Sequence, residues 1–236
     1  FLSLGPDDPL WMRLADDSLA ETLRDLEPAT GIALADEAGL DRVAEAFADI
    51  IDRKSEFTAR HSVGVATYAV AIARECGFEE DRTRSLRRAG LLHDIGKLGV
   101  SSRIIEKPGT LTDDEYAQVR EHPRFTYEIL SRITPFAELA GPAAAHHERL
   151  DGRGYHLGLP ADRLGPEARI LAVADVYDAL TADRPYRGPL DPEVALGILW
   201  KDAGTAFDPE YVAALESSGV DLIARSVPRE ETAAAV

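Results

Sequence analysis

The residues of this chain best equipped for chemistry are histidines and aspartates set among apolar neighbours. His61 shares a helical face with Phe57, Val65, Tyr68 and Ile72, so its ring is expected to point inward. His93-Asp94 ends a run carrying Leu86, Leu91 and Leu92, and His122 stands beside Pro123. His146-His147 follows Leu139 and Ala143, and Asp175 is embedded in Ile170-Leu171-Ala172-Val173-Ala174-Asp175-Val176. An unpaired carboxylate there would be costly to bury. A lone inward histidine is most often a core residue with a satisfied hydrogen bond. Here seven nitrogen and oxygen donors recur at intervals of about 24 to 32 residues, one helix and loop apart, which is how a bundle aims ligands at its axis. Imidazole and carboxylate without thiolate suit Fe, Mn, Zn or Co. Seven donors exceed one ion, and a carboxylate beside a histidine can bridge two ions ~3.5–4 Å apart, as in hydrolytic two-metal sites.

The elements that must position these donors read as helices almost throughout. Asp16-Asp17-Ser18 can cap a short helix bearing Leu19, Leu23 and Leu26, closed before Pro28. The strongest periodic segment runs from about Asp41 to Cys76, with a stripe of Val43, Phe47, Ile50, Phe57, Val65, Tyr68 and Ile72, and Gly77 stops it. A second helix is expected from Asp81 to about Asp94. Thr112-Asp113-Asp114-Glu115 is a capping box, and Pro123 must kink the following helix or begin a new one. Further helices are expected at about 135–150, 166–182, 192–203 and 209–215. A glycine-rich loop, Asp151 to Pro160, lies among them. No strand alternation competes, so the fold class is an all-α bundle with the donors in its core.

Bulk properties narrow the function classes. The 236 residues suffice for one large helical domain, and no apolar run approaches the roughly 18 residues of a membrane span. Phe1 to Leu10 has no basic region and is not expected to act as a signal peptide. Beginning at Phe1, the chain is expected to be part of something longer. Cys76 is the single cysteine, which excludes an internal disulfide and a thiolate-rich metal site and fits a cytoplasmic protein. A net charge of −16 argues against binding long nucleic acids, so an anionic substrate needs a local positive centre.

The ordered series His61-Ser62, Leu92-His93-Asp94-Ile95-Gly96-Lys97, Lys107-Pro108-Gly109-Thr110-Leu111-Thr112, His122, His146-His147-Glu148, Asp151-Gly152-Arg153-Gly154-Tyr155, Ala172 to Thr181, Arg184-Pro185-Tyr186-Arg187 and Phe207-Asp208-Pro209 strongly resembles the HD-GYP phosphodiesterases. The resemblance covers about residues 41 to 215. It implies a helical domain holding two or three metals, often iron or manganese, and cleaving cyclic di-GMP or a related cyclic dinucleotide. Residue by residue, it implies the metal ligands His61, His93, Asp94, His122, His146, His147 and Asp175, with Asp94 bridging. Lys97, Arg184 and Arg187 occupy positions resembling phosphate contacts, with Asp94 and Lys97 the catalytic pair. Tyr155 could stack on a nucleobase. Two divalent ions are expected, iron or manganese first, with zinc, cobalt or nickel as substitutes.

Two departures stand out. The motif reads Gly154-Tyr155-His156, with histidine in place of proline. Relatives with a third metal carry a glutamate four residues before the first histidine. Here that residue is Phe57, with Glu56 about 100° away round the helix. Two metals are therefore expected, with a linear dinucleotide as the main product and the mononucleotide as the alternative. The rival readings are an HD-type phosphatase on small nucleotides and a weakly active cyclic-dinucleotide-binding module. Residues 1–40 are expected to be the stub of an upstream sensory domain or a helical extension packed through Trp11 and Leu14. Residues 41–225 are expected to form the catalytic domain and 226–236 a frayed tail. A homodimer is compatible with the pattern.

Overall fold

The structure is a computed structural model, and it describes residues 35–54, 60–183 and 188–219. The expected helix before Pro28, Trp11, Leu14, Glu56, Phe57, Arg184, Arg187 and the tail lie outside these residues. Ten α-helices are described: α1 (Glu37–Arg53), α2 (His61–Glu75), α3 (Glu80–Leu92), α4 (Ser102–Ile105), α5 (Asp113–Val119), α6 (His122–Leu130), α7 (Ala140–Ala144), α8 (Pro166–Thr181), α9 (Pro192–Lys201) and α10 (Pro209–Ser217). Tight 3-10 turns occupy Ile95–Gly99, Thr134–Leu139 and Ala161–Arg163. Among the described residues there is no strand; the pairings Asp151 with Pro160 and Ala203 with Phe207 are isolated bridges.

Helix α2 is central and packs against α3, α8 and α10. Its buried residues Val65, Ala66, Tyr68, Ala69, Ile72 and Ala73 cover a wide face, and most of α8 between Ala168 and Asp178 is buried too. Ile72, Leu92, Ile170, Leu171, Tyr177 and Leu199 join one continuous core. Each such side chain taken from water contributes about 1.5–3 kcal/mol. No described helix is long and apolar enough to cross a membrane.

Two expected elements are corrected. The segment from Asp41 to Cys76 is two helices, with α1 ending at Arg53 and α2 starting at His61 after Arg60, whose φ is 67°. The face α1 buries is Ala44, Ala48, Ile51 and Asp52, while Val43 and Ile50 are exposed. Small alanines allow close approach, so the larger residues that caught the eye in the sequence lie one position round the helix. Asp52 explains the restart. Its carboxylate accepts from the Ser62 hydroxyl at 2.7 Å and backbone N–H at 3.2 Å, satisfying a donor that a helix start leaves orphaned.

The expected helix over 135–150 is instead the 3-10 turn Thr134–Leu139 followed by α7, which stops at Ala144. This early stop matters. Neighbouring residues on a helix point about 100° apart, whereas the turn at 145–147 lets His146 and His147 face one place. The His93-Asp94 pair uses the same device, since α3 ends at Leu92. The remaining elements match the sequence reading. Thr112 and Glu115 form the reciprocal capping box, and Pro123 sits in the first turn of a new helix rather than in a kink.

Candidate functional site

Five helices and two helix-ending turns deliver the seven expected donors to one buried place. His61 opens α2, His93 caps α3 with Asp94 next to it, His122 opens α6, His146 and His147 follow α7, and Asp175 lies in the middle of α8. Six of them fall into two groups, His61-His93-Asp94 and His122-His146-His147, and within each the donor atoms lie within 4.8 Å of one another. Asp94 stands between them. Its Oδ1 is 3.2 Å from His122 Nε2 and 3.9 Å from His146 Nε2, while Oδ2 is 3.4 Å from His93 Nε2 and 3.9 Å from His61 Nε2. Asp175 also reaches both groups, 3.2 Å from His61 Nε2 and 3.7 Å from His147 Nδ1.

The hydrogen bonds behind the rings decide what faces inward. Nδ1 of His93, His122 and His146 lies 2.6–2.7 Å from the backbone carbonyls of Gly90, Val119 and Ala143. A carbonyl can only accept, so each Nδ1 carries a proton and each ring turns its Nε2 to the centre. His122 and His146 bring their Nε2 atoms within 3.2 Å of each other. His93 Nε2 and Asp94 Oδ1 are buried with no hydrogen-bond partner among the described residues. Buried acceptors without donors are costly. Converging acceptors of this kind fit divalent cations, and a backbone carbonyl behind the ring is the usual support of a metal-binding histidine.

His61 is held differently. Its Nδ1–H donates to Asp178 at 2.6 Å, a carboxylate the sequence reading quoted but did not assign. The clue was available, since Asp178 lies three residues after Asp175 on the same helical face. Gly64 makes room for it: a Cβ there would meet the Asp178 carboxylate at 1.8 Å. Burial works to lower the His61 pKa, but Asp175 and Asp178 outweigh it and push the value up to about 10. His147 experiences the opposite balance. Burial lowers it to about 4, Asp175 only partly countering, and His146 lies well below the usual range for the same first reason. Asp94, despite burial, is held well below the carboxylate range by Lys97 and His93, and Asp175 is likewise lowered by His61 and His147.

Around this centre sit the other expected residues. Lys97 Nζ donates to Asp94 Oδ2 at 2.5 Å. Its loop is clamped by Lys54, whose ammonium donates to the carbonyls of Lys97, Leu98 and Val100 at 2.9, 3.2 and 2.9 Å. Sequence reasoning missed that clamp. Tyr155 lies over His147, ring centroids 4.7 Å apart, and burial pushes its hydroxyl pKa up, keeping the phenol neutral. Gly154 permits this approach, because a Cβ would collide with Glu148 Cα at 2.4 Å. Buried Glu148, also missed, accepts from the backbone N–H groups of Leu157, Gly158 and Leu159 at 2.7–3.2 Å and fixes the loop. His156 joins neither donor group.

Comparison with known proteins gives a consistent picture. Residues 45–211 match the HD domain family model. The chain is 44% identical over 200 residues to a 3′3′-cGAMP-specific phosphodiesterase 3 of Vibrio cholerae, covering 85% of this chain and 44% of that protein. It is 42% identical over 148 residues to the cyclic di-GMP phosphodiesterase response regulator RpfG of Xanthomonas campestris, covering 61% and 39%. A crystal structure of a V. cholerae cyclic GMP-AMP specific phosphodiesterase matches with TM-score 0.55 and 37% identity, over 94% of this chain and 50% of that one. The chain spans less than half the length of these curated relatives.

Proposed function

The chain belongs to the HD domain family, in its HD-GYP branch, and from that premise we propose that residues 41–225 are a metal-dependent phosphodiesterase domain whose substrate is a cyclic dinucleotide, cyclic di-GMP or a cGAMP. The observation that carries this reading is the convergence of buried imidazole Nε2 atoms and two carboxylates on one centre between two groups of donors. The names of the relatives supply the substrate class.

His61, His93 and Asp94 would hold one divalent ion and His122, His146 and His147 the other, with Asp94 shared and Asp175 completing the set. Iron or manganese suits these ligands first. When bound, such ions supply a water of near-neutral pKa and neutralise phosphate oxygens. The chain's own residues do the rest. The backbone carbonyls and Asp178 keep the rings aligned, so the reacting phosphate meets a preorganised centre. Lys97, held by Asp94 and clamped from behind through its loop, presents an N–H to a phosphate oxygen on the scissile side. Tyr155, a neutral ring between His147 on one side and the Arg120 guanidinium on the other, offers its exposed edge, rather than a free face, to a nucleobase. Arg184 and Arg187 are proposed as further phosphate contacts, being two to three turns beyond Asp175 in the sequence. Two ions, without a glutamate at position 57, favour the linear dinucleotide as product.

The test is turnover of cyclic di-GMP and 3′3′-cGAMP by the manganese- or iron-loaded chain, with products separated by chromatography. Linear dinucleotide formation that stops on chelation is expected. Absence of cleavage in a protein carrying two ions would leave it a binding module and overturn the assignment.

A further inference from the structure

Arg120 lies two residues before His122 and is exposed at the end of α5. Its guanidinium carbon stands 4.4 Å from the centroid of the Tyr155 ring, the same ring that lies over His147. A cation thus sits at the lip of the donor cluster, one aromatic ring away from it. Its charge is not spent. Among the described residues Arg120 has no ion pair, and the adjacent Glu121 is taken by Arg124 at 2.7 Å.

The geometry also says which part of Arg120 is free. A guanidinium has two faces and a donor-rich edge, and Tyr155 takes a face. The edge, with its parallel N–H groups, remains for an anion, and that edge matches two phosphate oxygens at once. In a chain of net charge −16 an unneutralised arginine beside a buried centre is a local exception to the field. A cyclic dinucleotide carries two phosphate diesters on opposite sides of its ring. One must reach the donor cluster for cleavage, which leaves the other near the lip.

Resting on the substrate reading above, we infer that Arg120 binds the phosphate diester that is not being cleaved, with Tyr155 fixing the guanidinium plane. It is a specificity-determining residue: it favours substrates with a second phosphate over those with one. The test compares KM for cyclic di-GMP or 3′3′-cGAMP with KM for bis(4-nitrophenyl) phosphate, which has a single phosphate, on the manganese-loaded chain. Arg120→Ala is expected to raise the ratio of the two KM values about tenfold, the scale of one charged hydrogen bond. Arg120→Glu should raise it further, and the effect of both should shrink at high salt. A purely structural role would move both substrates together and leave the ratio where it was. That outcome, in a wild-type chain that does cleave cyclic dinucleotides, overturns the inference alone. A wild-type chain that cleaves bis(4-nitrophenyl) phosphate but no cyclic dinucleotide overturns the substrate reading and this inference with it.

Discussion

The two donor groups share one buried centre yet are built on opposite electrostatic plans. Around His61 and His93 the environment is carboxylate-rich: Asp94 belongs to the group, Asp175 is 3.2 Å from His61, and Asp178 holds His61 from behind. The other group is three imidazoles, two of them anchored only by neutral backbone carbonyls, and His147 is 26% exposed. The pKa directions follow the same division, His61 up to about 10 and His147 down to about 4. Asp94 and Asp175 reach both groups, so what sets the His61 side apart is Asp178 behind its ring, and a divalent cation is expected to be held more strongly there than on the more open His147 side. On the proposed two-ion reading, the difference predicts one more tightly held ion and one that exchanges more readily.

The largest expected effect comes from removing what the two groups share. Asp94 faces rings of both, so Asp94→Ala should empty at least one position and weaken the other. Losing several kcal/mol of charge stabilisation corresponds to a turnover drop on the order of a thousandfold. Circular dichroism should still report a helical chain. Elemental analysis showing full metal content, with normal turnover, would mean that Asp94 is not the bridge.

Next in size are single-sided changes. Asp178→Asn keeps the shape but removes the carboxylate behind His61, and loss of such support commonly costs about 10–100-fold in metal affinity. The loss should fall on the His61 side, measured by competition with a chelator of graded strength. His147→Ala should leave about one ion per chain and spare the tighter position. If both variants lose the same ion, the two-sided description fails.

A smaller effect concerns the chelated, metal-free chain. His146 and His147 are depressed, so the unfolded chain, with histidine pKa near ~6.5, binds protons that the folded chain refuses. Stability should therefore fall as pH drops from about 6.5 towards 4. His61 is raised, so its contribution is complete below about 6.5 and is lost as pH climbs towards 10. Thermal melts across this range should show a maximum between these limits, and saturating manganese should flatten the alkaline side. A melting temperature that rises steadily into acid would contradict the neutral state of His146 and His147.

The centre was legible in the sequence because its physics is local. A histidine or aspartate inside an apolar helix, repeated once per helix and loop, has few explanations other than a shared cation. What could not be read was how consecutive residues such as His146 and His147 turn to the same place. That depends on α7 stopping at Ala144, and 135–150 had read as one continuous helix. The α1 register was misread for a related reason, since Ala44 and Ala48 bury less surface than Val43 and Ile50 but allow closer packing. The roles of Lys54 and of Glu148, which the motif already named, could not be read because their partners are backbone groups 43 and 9 residues away, and backbone groups leave no mark in a sequence. Asp178 was in plain view as the second carboxylate of an apolar helix.

One measurement bears most directly on the central claim. The chain is stripped of metal, then titrated with manganese while bound ions per chain and cleavage of cyclic di-GMP and 3′3′-cGAMP are followed together. The account predicts two binding steps of unequal affinity, with turnover rising mainly as the second ion binds. Full turnover with one ion bound, or cleavage that survives complete metal removal, would contradict it.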